Sequence, residues 1–407
     1  MSILKATVWA KENTYPSGTD PWALQLNKVQ PAGDLWLPGI KPPAEYRNWL
    51  DNARWLESQG TIDELCQEAL ARWNPAITGN TIAGSSVTIA DMKWDAFRQR
   101  WGVLVTAGVD KLFVSYDSGL TWSQWAANIS TGDQAFAYST VDGSIVSAGV
   151  VTGNGFATFM NGAGTGGWTG STLTGLNGAT AMVARFFNGL FILYGAAQSG
   201  GTFTGGGYNS ANGTTWTALT LPAAFASGAN HVGQILAAQN DSGPLMLVAI
   251  CGATAGTDTA KVMSTADGTT YTDITPAFLA GRIITGMYYS ADMGLYAIMC
   301  YDGTSSYLYT SPDASTWSFF KTFLNYRADG VASVGQIWAT TLIASGLRRL
   351  AHSNNLQDTH WSWAPALSAF AESSGVARIQ NNGNQVALWN GANVAISSQA
   401  GGLPGVI

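Results

Sequence analysis

The stretch Ser115-Tyr-Asp117-Ser-Gly119-Leu-Thr121-Trp122 decides the fold, because it recurs along the chain. Four related hairpins read Ser210-Ala-Asn212-Gly213-Thr-Thr215-Trp216, Ser264-Thr-Ala-Asp267-Gly268-Thr-Thr270-Tyr271, Ser311-Pro-Asp313-Ala-Ser-Thr316-Trp317, and Ser353-Asn-Asn355 followed by Asp358-Thr359-His360-Trp361. A degenerate copy ends at Gly167-Trp168-Thr169. The closing aromatic residues lie at 122, 168, 216, 271, 317 and 361, so the steps are 46, 48, 55, 46 and 44 residues. Steps of this length are typical of four-stranded β-propeller blades.

A short apolar segment precedes each hairpin and predicts a buried strand. The six segments are GVLVTAG, SIVSAGV, LFILYGA, LMLVAICG, GLYAIMC and TTLIASG. A seventh segment, QVALWNG at 385–391, is followed by no Thr-Trp pair. The sequence therefore predicts a mainly β protein with a propeller of six or seven blades, seven being favoured. The last strand of the seventh blade would come from 403–407 or from 74–84, and the second choice closes the ring with the start of the propeller.

Composition divides the chain near Trp73. Residues 1–73 hold six of the 17 Trp, five of the six Glu and only four of the 48 Gly. We interpret 1–42, which is rich in proline and has no sustained period, as an extended arm that needs a partner surface. Residues 43–73 predict two short α-helices, because Pro43 can open the first and Thr61-Ile-Asp-Glu64 forms a capping box for the second. The propeller then occupies 74–407.

Charge and hydropathy exclude two classes of partner. The formal net charge is −6 and only 11% of the residues are charged, so no basic field is available for nucleic acid. The sequence contains no run of about 18 apolar residues, so we expect no membrane-spanning segment. The first residues also lack the unbroken apolar stretch of a secretory signal. Cys251 and Cys300 lie in apolar runs, and we expect both to be buried thiols.

The repeated hairpin resembles the Asp-box, or BNR-like repeat, of sialidase-like propellers. The resemblance implies a structural role: carboxylates accept hydrogen bonds from the turn, glycines supply positive φ, and aromatic rings fill the space between blades. The residues that carry these roles are Asp117, Gly119, Trp122, Gly213, Trp216, Asp267, Gly268, Tyr271, Asp313, Trp317 and Trp361. Asn212 replaces Asp in one copy, which favours a turn over acid catalysis.

A glycosidase is the principal alternative. A sialidase-like site implies three arginines, a Tyr–Glu pair and an acidic Asp. Phe97-Arg98-Gln99-Arg100 stands where the first arginine motif is expected, without its proline, and Glu372 is the one Glu of the propeller. Arg185, Arg282, Arg348, Arg349 and Arg378 lack motif context, and the three histidines lack metal-ligand spacing. We therefore assign no catalytic residue, metal or cofactor.

Residues 33–58, GDLWLPGIKPPAEYRNWLDNARWLES, resemble the attachment region of bacteriophage tail-fibre and tailspike proteins. The matching segment is Lys41-Pro-Pro-Ala-Glu-Tyr46 with Asn48, Trp49 and Leu50. The resemblance implies a virion protein whose N-terminal part docks into the tail or baseplate and whose helices associate, commonly as a homotrimer. The anchoring residues would be Trp9, Trp22, Trp36, Pro42, Pro43, Tyr46 and Trp49.

Together these patterns predict a phage tail protein that is made in the host cytoplasm, released on lysis, and binds a host-surface glycan or receptor through its propeller. Trp125, Trp338, Trp363 and Trp389 could stack on sugar rings, although packing in the core is the favoured interpretation of each. The alternatives are a glycan-cleaving tailspike and a collar or decoration protein with a purely architectural propeller.

Overall fold

The computed structural model describes most of the chain from residue 76 onward. The described residues are 76–84, 87–106, 110–126, 129, 132–162, 168–199, 201–228, 232–240, 243–258, 260–334, 337–344, 347–353, 361–366, 370, 378–382 and 385–397. All of them belong to one compact unit, Ala69–Gln399. The expected arm, the two helices and all seven anchoring residues lie outside the described residues.

Seven antiparallel sheets form the ring of a β-propeller, and the preferred count of seven blades is confirmed. The strands of the first half are β1 (Ile77–Thr78), β2 (Thr88–Asp95), β3 (Arg100–Thr106), β4 (Lys111–Ser115), β5 (Ser123–Ala126), β6 (Asp133–Tyr138), β7 (Ile145–Val151), β8 (Asn154–Met160), β9 (Thr169–Thr172), β10 (Ala179–Phe187), β11 (Leu190–Ser199), β12 (Thr202–Ser210), β13 (Thr217–Ala218) and β14 (Ser227–Gly228). The strands of the second half are β15 (Val232–Asn240), β16 (Leu245–Gly252), β17 (Lys261–Thr265), β18 (Thr272–Asp273), β19 (Ile283–Ser290), β20 (Leu295–Tyr301), β21 (Ser306–Ser311), β22 (Ser318–Phe323), β23 (Arg327–Val334), β24 (Ile337–Ala344), β25 (Leu347–Ser353), β26 (Trp361–Ala366), β27 (Arg378–Asn381), β28 (Val386–Trp389) and β29 (Asn393–Ile396).

Blades 1 to 6 each use four strands that follow one another in the chain. They begin at β2, β6, β10, β15, β19 and β23, and the short β14 adds to β12 of blade 3. Blade 7 combines β27, β28 and β29 with β1, which pairs with β29 through Ile77–Val394 and Thr78–Asn393. The ring is therefore closed by the segment that precedes blade 1, the second of the two predicted routes. This pairing protects the outer edge of β29.

The predicted apolar segments form the second strand of each blade. In β16 and β20 nearly every residue is buried, because both faces of a propeller blade pack against neighbouring blades. Hydrophobic clusters accordingly join adjacent blades. One cluster combines Leu247 of blade 4 with Ile298 of blade 5, and it contains both Cys251 and Cys300. The two thiols are free and fully buried, as expected.

The first strand of each blade lies innermost, beside the axis of the ring. Six of these seven strands contain a register shift against their partner, at or near residues 90, 134, 180, 233, 285 and 330. Such bulges bend a strand and change the direction of the side chains that follow. They therefore help to set which side chains of the inner strands reach the axis.

Helical structure is sparse in the described part of the chain. The short helices are α1 (Gly79–Ala83) and α2 (Ala223–Ala226), and single 3-10 turns occur at Thr174–Leu176 and Ala277–Leu279. Thr78 caps α1 by accepting a hydrogen bond from the Thr81 backbone N–H at 3.1 Å. Among the described residues, no helix combines the length and apolarity needed to span a bilayer.

Candidate functional site

The repeated turns connect the third and fourth strands of blades and share one hydrogen-bond pattern. In blade 3 the Ser210 hydroxyl accepts from the Gly213 backbone N–H at 2.8 Å, and Asn212 Oδ1 accepts from the backbone N–H groups of Thr214 and Thr215 at 3.0 and 2.8 Å. Asp267 and Asp313 take the place of Asn212 in blades 4 and 5. In each case the side-chain oxygen satisfies the turn's backbone donors.

In the turn of blade 4, the hydroxyl acceptor is not the serine that the sequence pattern predicted. Thr265, and not the preceding serine, supplies the hydroxyl that accepts from the Gly268 backbone N–H at 2.9 Å. Gly268 has φ +75°, and a Cβ added there would lie 2.9 Å from Ile192 Cδ1 of blade 3. Gly213 and Gly119 also have positive φ. A Cβ added at Gly213 would collide with Phe159, and one added at Gly119 would collide with Ile396. These turns therefore need glycine both for conformation and for space between blades.

We expect Asp267→Ala to lower the free energy of unfolding by about 1 kcal/mol, as loss of a capping side chain does. Asp267→Asn should leave stability at pH 7 unchanged, because Asn212 makes the same bonds. Hydrogen bonds from the Thr270 and Thr269 backbone hold the Asp267 pKa far below its usual value of 3.8. The carboxylate therefore contributes stability above about pH 4, and the contribution is lost as pH falls through the folded pKa.

Urea unfolding at pH 7 and pH 3 measures how much free energy of unfolding each protein loses on acidification. The Asp267→Asn variant should lose less stability on acidification than the native protein, and Asn212→Asp should lose more. Equal acid sensitivity in all three proteins would contradict the assigned role of the Asp267 carboxylate.

The closing aromatic residues pack between blades. Trp122 lies against a cluster shared by blades 7 and 1, Trp216 against blades 2 and 3, and Trp317 against blades 4 and 5. Tyr271 is itself part of the cluster between blades 3 and 4, and Trp168 packs between blades 1 and 2. Trp361 begins β26, and its side chain lies outside the described residues.

The face that carries the repeated turns, which we call the turn face, also holds Arg98 and Arg100. Both guanidinium groups bond to the buried carboxylate of Asp95, at 3.1 and 3.0 Å. They also lie over the Trp125 ring, with Arg100 Cζ 4.4 Å from its centroid. The ring is thus covered by arginine and is not presented to a sugar, and neither arginine lines the cavities at the axis of the ring.

Two further candidates for sugar stacking are core residues. Trp338 is fully buried between blades 5 and 6, and Trp389 is 5% exposed between blades 7 and 1. The side chain of Trp363 lies outside the described residues.

Two cavities occupy the axis of the ring. The turn-side cavity has a volume of about 390 Å³ and is lined by the inner strands of all seven blades. The far-side cavity, about 470 Å³, lies where these strands begin. Gln234, Thr285, Arg378 and Trp389 line both cavities, so the two adjoin along the axis, and we refer to them together as the axial channel. Volumes of this size are typical of small-molecule sites.

The charged residues of the channel are mostly cationic. The described lining residues include four cations, Lys93, Arg185, Arg327 and Arg378, and one carboxylate, Asp91. Arg327 is paired with Asp329, which is not a lining residue. The turn-side cavity therefore has an excess of positive charge, although the whole chain has 19 Lys and Arg against 25 Asp and Glu.

Lys93 and Asp91 form an ion pair in the turn-side cavity. The Lys93 Nζ to Asp91 Oδ1 distance is 3.1 Å, and the two side chains are 13% and 5% exposed. Burial lowers the Lys93 pKa from 10.5 to about 8; the positive charges of Arg185 and Arg378 add to this effect, and Asp91 opposes it. Three cationic side chains from blades 1, 3 and 7 therefore act on one another in the channel.

Two arginines of the turn-side cavity, Arg185 and Arg378, donate hydrogen bonds to neutral backbone groups. Arg185 donates to the carbonyl oxygen atoms of Ala184 and Ala237 at 3.0 and 2.9 Å. Arg378 donates to that of Ala90 at 3.3 Å. These bonds orient the guanidinium groups without neutralising their charge.

Two amide side chains of the channel are available for hydrogen bonding. Gln234 and Gln380 are half-buried lining residues, and neither side-chain amide bonds to another residue in the described part of the chain. Amides of this kind can donate to and accept from the hydroxyl groups of a ligand. Tyr288 and Asn381, by contrast, already bond to each other across blades 5 and 7.

No sequence motif marks the residues of the channel. Lys93, Arg185, Gln234 and Arg378 lie on four different blades, and no motif contains any of them. The propeller prediction does place the inner strands around one axis, but the bulges decide which residues face it. Within the described residues, no group of three or more His, Cys, Asp or Glu is placed to hold a metal ion.

Comparisons with solved structures agree with the fold. The chain is similar to the structure described as YCF48 bound to D1 peptide, with 15% identity, a TM-score of 0.51, and coverage of 81% of this chain and 96% of that one. It is also similar to the β-propeller domain of Cps50 (Swd1) from Myceliophteria thermophila, with 12% identity, a TM-score of 0.52, and coverage of 80% and 100%. At these identities the likeness shows the β-propeller fold alone. No family model matches the sequence, and comparison with curated proteins gives no match.

Proposed function

We propose that the propeller is a binding module for a host-surface glycan, and that the chain is a bacteriophage tail protein that docks to the particle through residues 1–73. The axial channel is the observation that supports the binding half of this proposal. It combines free amides, aromatic rings and cationic groups in a volume that suits a short sugar segment. The attachment half is supported by the resemblance of residues 33–58 to tail-fibre attachment regions.

Binding is favoured over hydrolysis by the carboxylates of the channel. Hydrolysis of a glycosidic bond generally uses two carboxyl groups on opposite sides of the scissile bond. Among the described residues that line the channel, Asp91 is the one carboxylate, and it is already bonded to Lys93 and to the Met92 backbone N–H. The described lining is therefore better suited to holding a sugar than to cleaving one.

Binding of the labelled full-length protein to a panel of bacterial strains tests the proposal. Periodate treatment of the cells, which destroys vicinal diols of sugars, should abolish binding, and protease treatment should preserve it. Gln234→Ala combined with Gln380→Ala should weaken binding by about tenfold, as expected for two lost hydrogen bonds. Gln124→Ala, on the exposed outer strand β5, is the matched control and should bind as the native protein does.

The same experiment separates the alternatives. Binding that survives periodate but not protease would indicate a protein receptor. The appearance of new reducing ends on purified surface polysaccharide would indicate a glycan-cleaving enzyme. Failure to bind any strain, with the chain located at a collar by electron microscopy of labelled particles, would indicate an architectural role.

A further inference from the structure

We propose that the axial channel binds an oxyanion of its ligand, a carboxylate or a phosphodiester group, between Lys93 and Arg378. This inference rests on the proposed function for the source of the ligand, a surface polymer. The chemistry of recognition comes from the charges and the hydrogen bonds of the channel itself.

The charge balance favours an anion. Lys93, Arg185 and Arg378 carry three positive charges against the one negative charge of Asp91. A bound carboxylate or phosphodiester reduces this positive excess. Carboxylates and phosphodiesters both carry a single charge and oxygen atoms that accept hydrogen bonds from ammonium and guanidinium groups.

Donor capacity remains on both cations. An ammonium group has three donors and a guanidinium group has five. Lys93 gives one hydrogen bond to Asp91, and Arg378 gives one to the Ala90 carbonyl, and no other hydrogen bond of these two side chains occurs among the described residues. Their remaining N–H groups are therefore available to an oxyanion, while Gln234 and Gln380 can bond to the neutral part of the same ligand.

An oxyanion would also offset the electrostatic cost of burying the Lys93 ammonium group near two arginines. Burial and the two arginines disfavour the charged form of Lys93, which is why its pKa falls to about 8. A bound negative charge favours the ammonium form and must raise this pKa. By the same linkage, affinity for the anion falls as pH rises through about 8, because the protein must then take up a proton in order to bind.

Two tyrosines near Lys93 have pKa values outside the range of this titration. The charged side chains that act on it are Asp91, Arg185 and Arg378, and the tyrosines that line the cavity are Tyr138, Tyr288 and Tyr289. Burial raises the pKa of Tyr138 and of Tyr288 above the usual value of 10. The expected pH dependence between 7 and 9 therefore belongs to Lys93.

Calorimetric titration of the full-length protein tests the proposal with matched ligands. The first pair is a uronic-acid oligosaccharide and its carboxyl-reduced, neutral counterpart. The second is a phosphodiester-linked oligomer and the corresponding free polyol. The charged member of at least one pair should bind at least tenfold more tightly than its neutral counterpart at pH 7, and the pair that does so identifies the source of the anion. Equal binding within both pairs would overturn the proposal.

Substitutions place the anion within the channel. Lys93→Met and Arg378→Met should each weaken binding of the charged ligand at pH 7 by tenfold or more and leave the neutral counterpart unaffected. Lys93→Arg should retain binding and remove the loss of affinity between pH 7 and 9. Thermal unfolding checks that each variant is folded, and Lys321→Met, on the outer strand β22, is the control. Native affinity in both methionine variants would overturn the proposal.

The outcomes distinguish this inference from the proposed function. If a neutral glycan binds and the glutamine variants weaken it, the glycan-binding function stands and the oxyanion site is wrong. A different outcome is that no glycan binds, but acetate or dimethyl phosphate shifts the Lys93 side-chain resonance in NMR spectra and raises the pKa of Lys93. In that case the oxyanion site stands and the proposed glycan-binding function is wrong.

Discussion

Replacing Asp329 by alanine is expected to lower the free energy of unfolding by about 3–5 kcal/mol, the usual cost of breaking a buried ion pair. Asp329 Oδ2 accepts from Arg348 Nη1 at 2.8 Å, and its Oδ1 accepts from Arg327 Nε at 2.9 Å. Asp329 and Arg348 are each about 1% exposed. The substitution therefore removes the carboxylate from a guanidinium group that cannot reach water inside blade 6.

A second substitution tests this explanation. Arg348→Met in the Asp329→Ala background removes the buried positive charge, so the double variant should be more stable than Asp329→Ala alone. Arg327 is 35% exposed and can be hydrated when its partner is lost. Denaturant unfolding of the native protein, Asp329→Ala, Arg348→Met and the double variant measures the difference. A double variant that loses the sum of the two single effects would show that the ion pair does not act as one unit.

Replacing Trp338 by alanine is expected to cost about 3–5 kcal/mol, as does truncation of other fully buried large aromatic residues. Its indole is fully buried in a cluster that combines Met299 of blade 5 with Leu342 of blade 6. Loss of the ring leaves a cavity between two blades, where rigid sheets cannot easily move together to fill it. Thermal and denaturant unfolding provide the measurement.

Trp338→Phe is the matched variant. Phenylalanine retains most of the buried ring, so its cost should be less than half that of alanine. The phenylalanine variant should also bind ligand as the native protein does, because Trp338 does not line the axial channel. A stable alanine variant with weakened glycan binding would instead indicate that Trp338 contacts sugar.

The fold could be predicted from the sequence because the repeated hairpins need particular residue types at particular positions. Hairpins such as 210–216 need a side-chain acceptor at position three and a residue that tolerates positive φ after it. The apolar segments before them mark strands buried on both faces. The sequence left two candidate segments for the last strand of blade 7. The segment that is used, β1, contains only two paired residues and has no recognisable strand pattern.

The channel could not be predicted from the sequence, because its residues are far apart in the chain. Lys93, Arg185 and Arg378 are separated by more than 90 residues each, and they meet only because the inner strands of blades 1, 3 and 7 surround one axis. The bulges in the inner strands of blades 1 and 3 add to the difficulty, since a single extra residue reverses which side chains face inward. Of the sugar-stacking candidates, Trp338 is fully buried and does not line the channel, whereas Trp389 is 5% exposed and lines both cavities.

The closure of blade 7 has a mechanical consequence. The chain ahead of residue 76 enters the propeller through the two-residue strand β1, which is followed by Ile82 of α1 in the core between blades 7 and 1. A pulling force on that segment acts first on one short pairing with β29 and next on one buried side chain. Rupture would begin at this seam, and the six blades built from continuous chain would carry load only after the ring had opened.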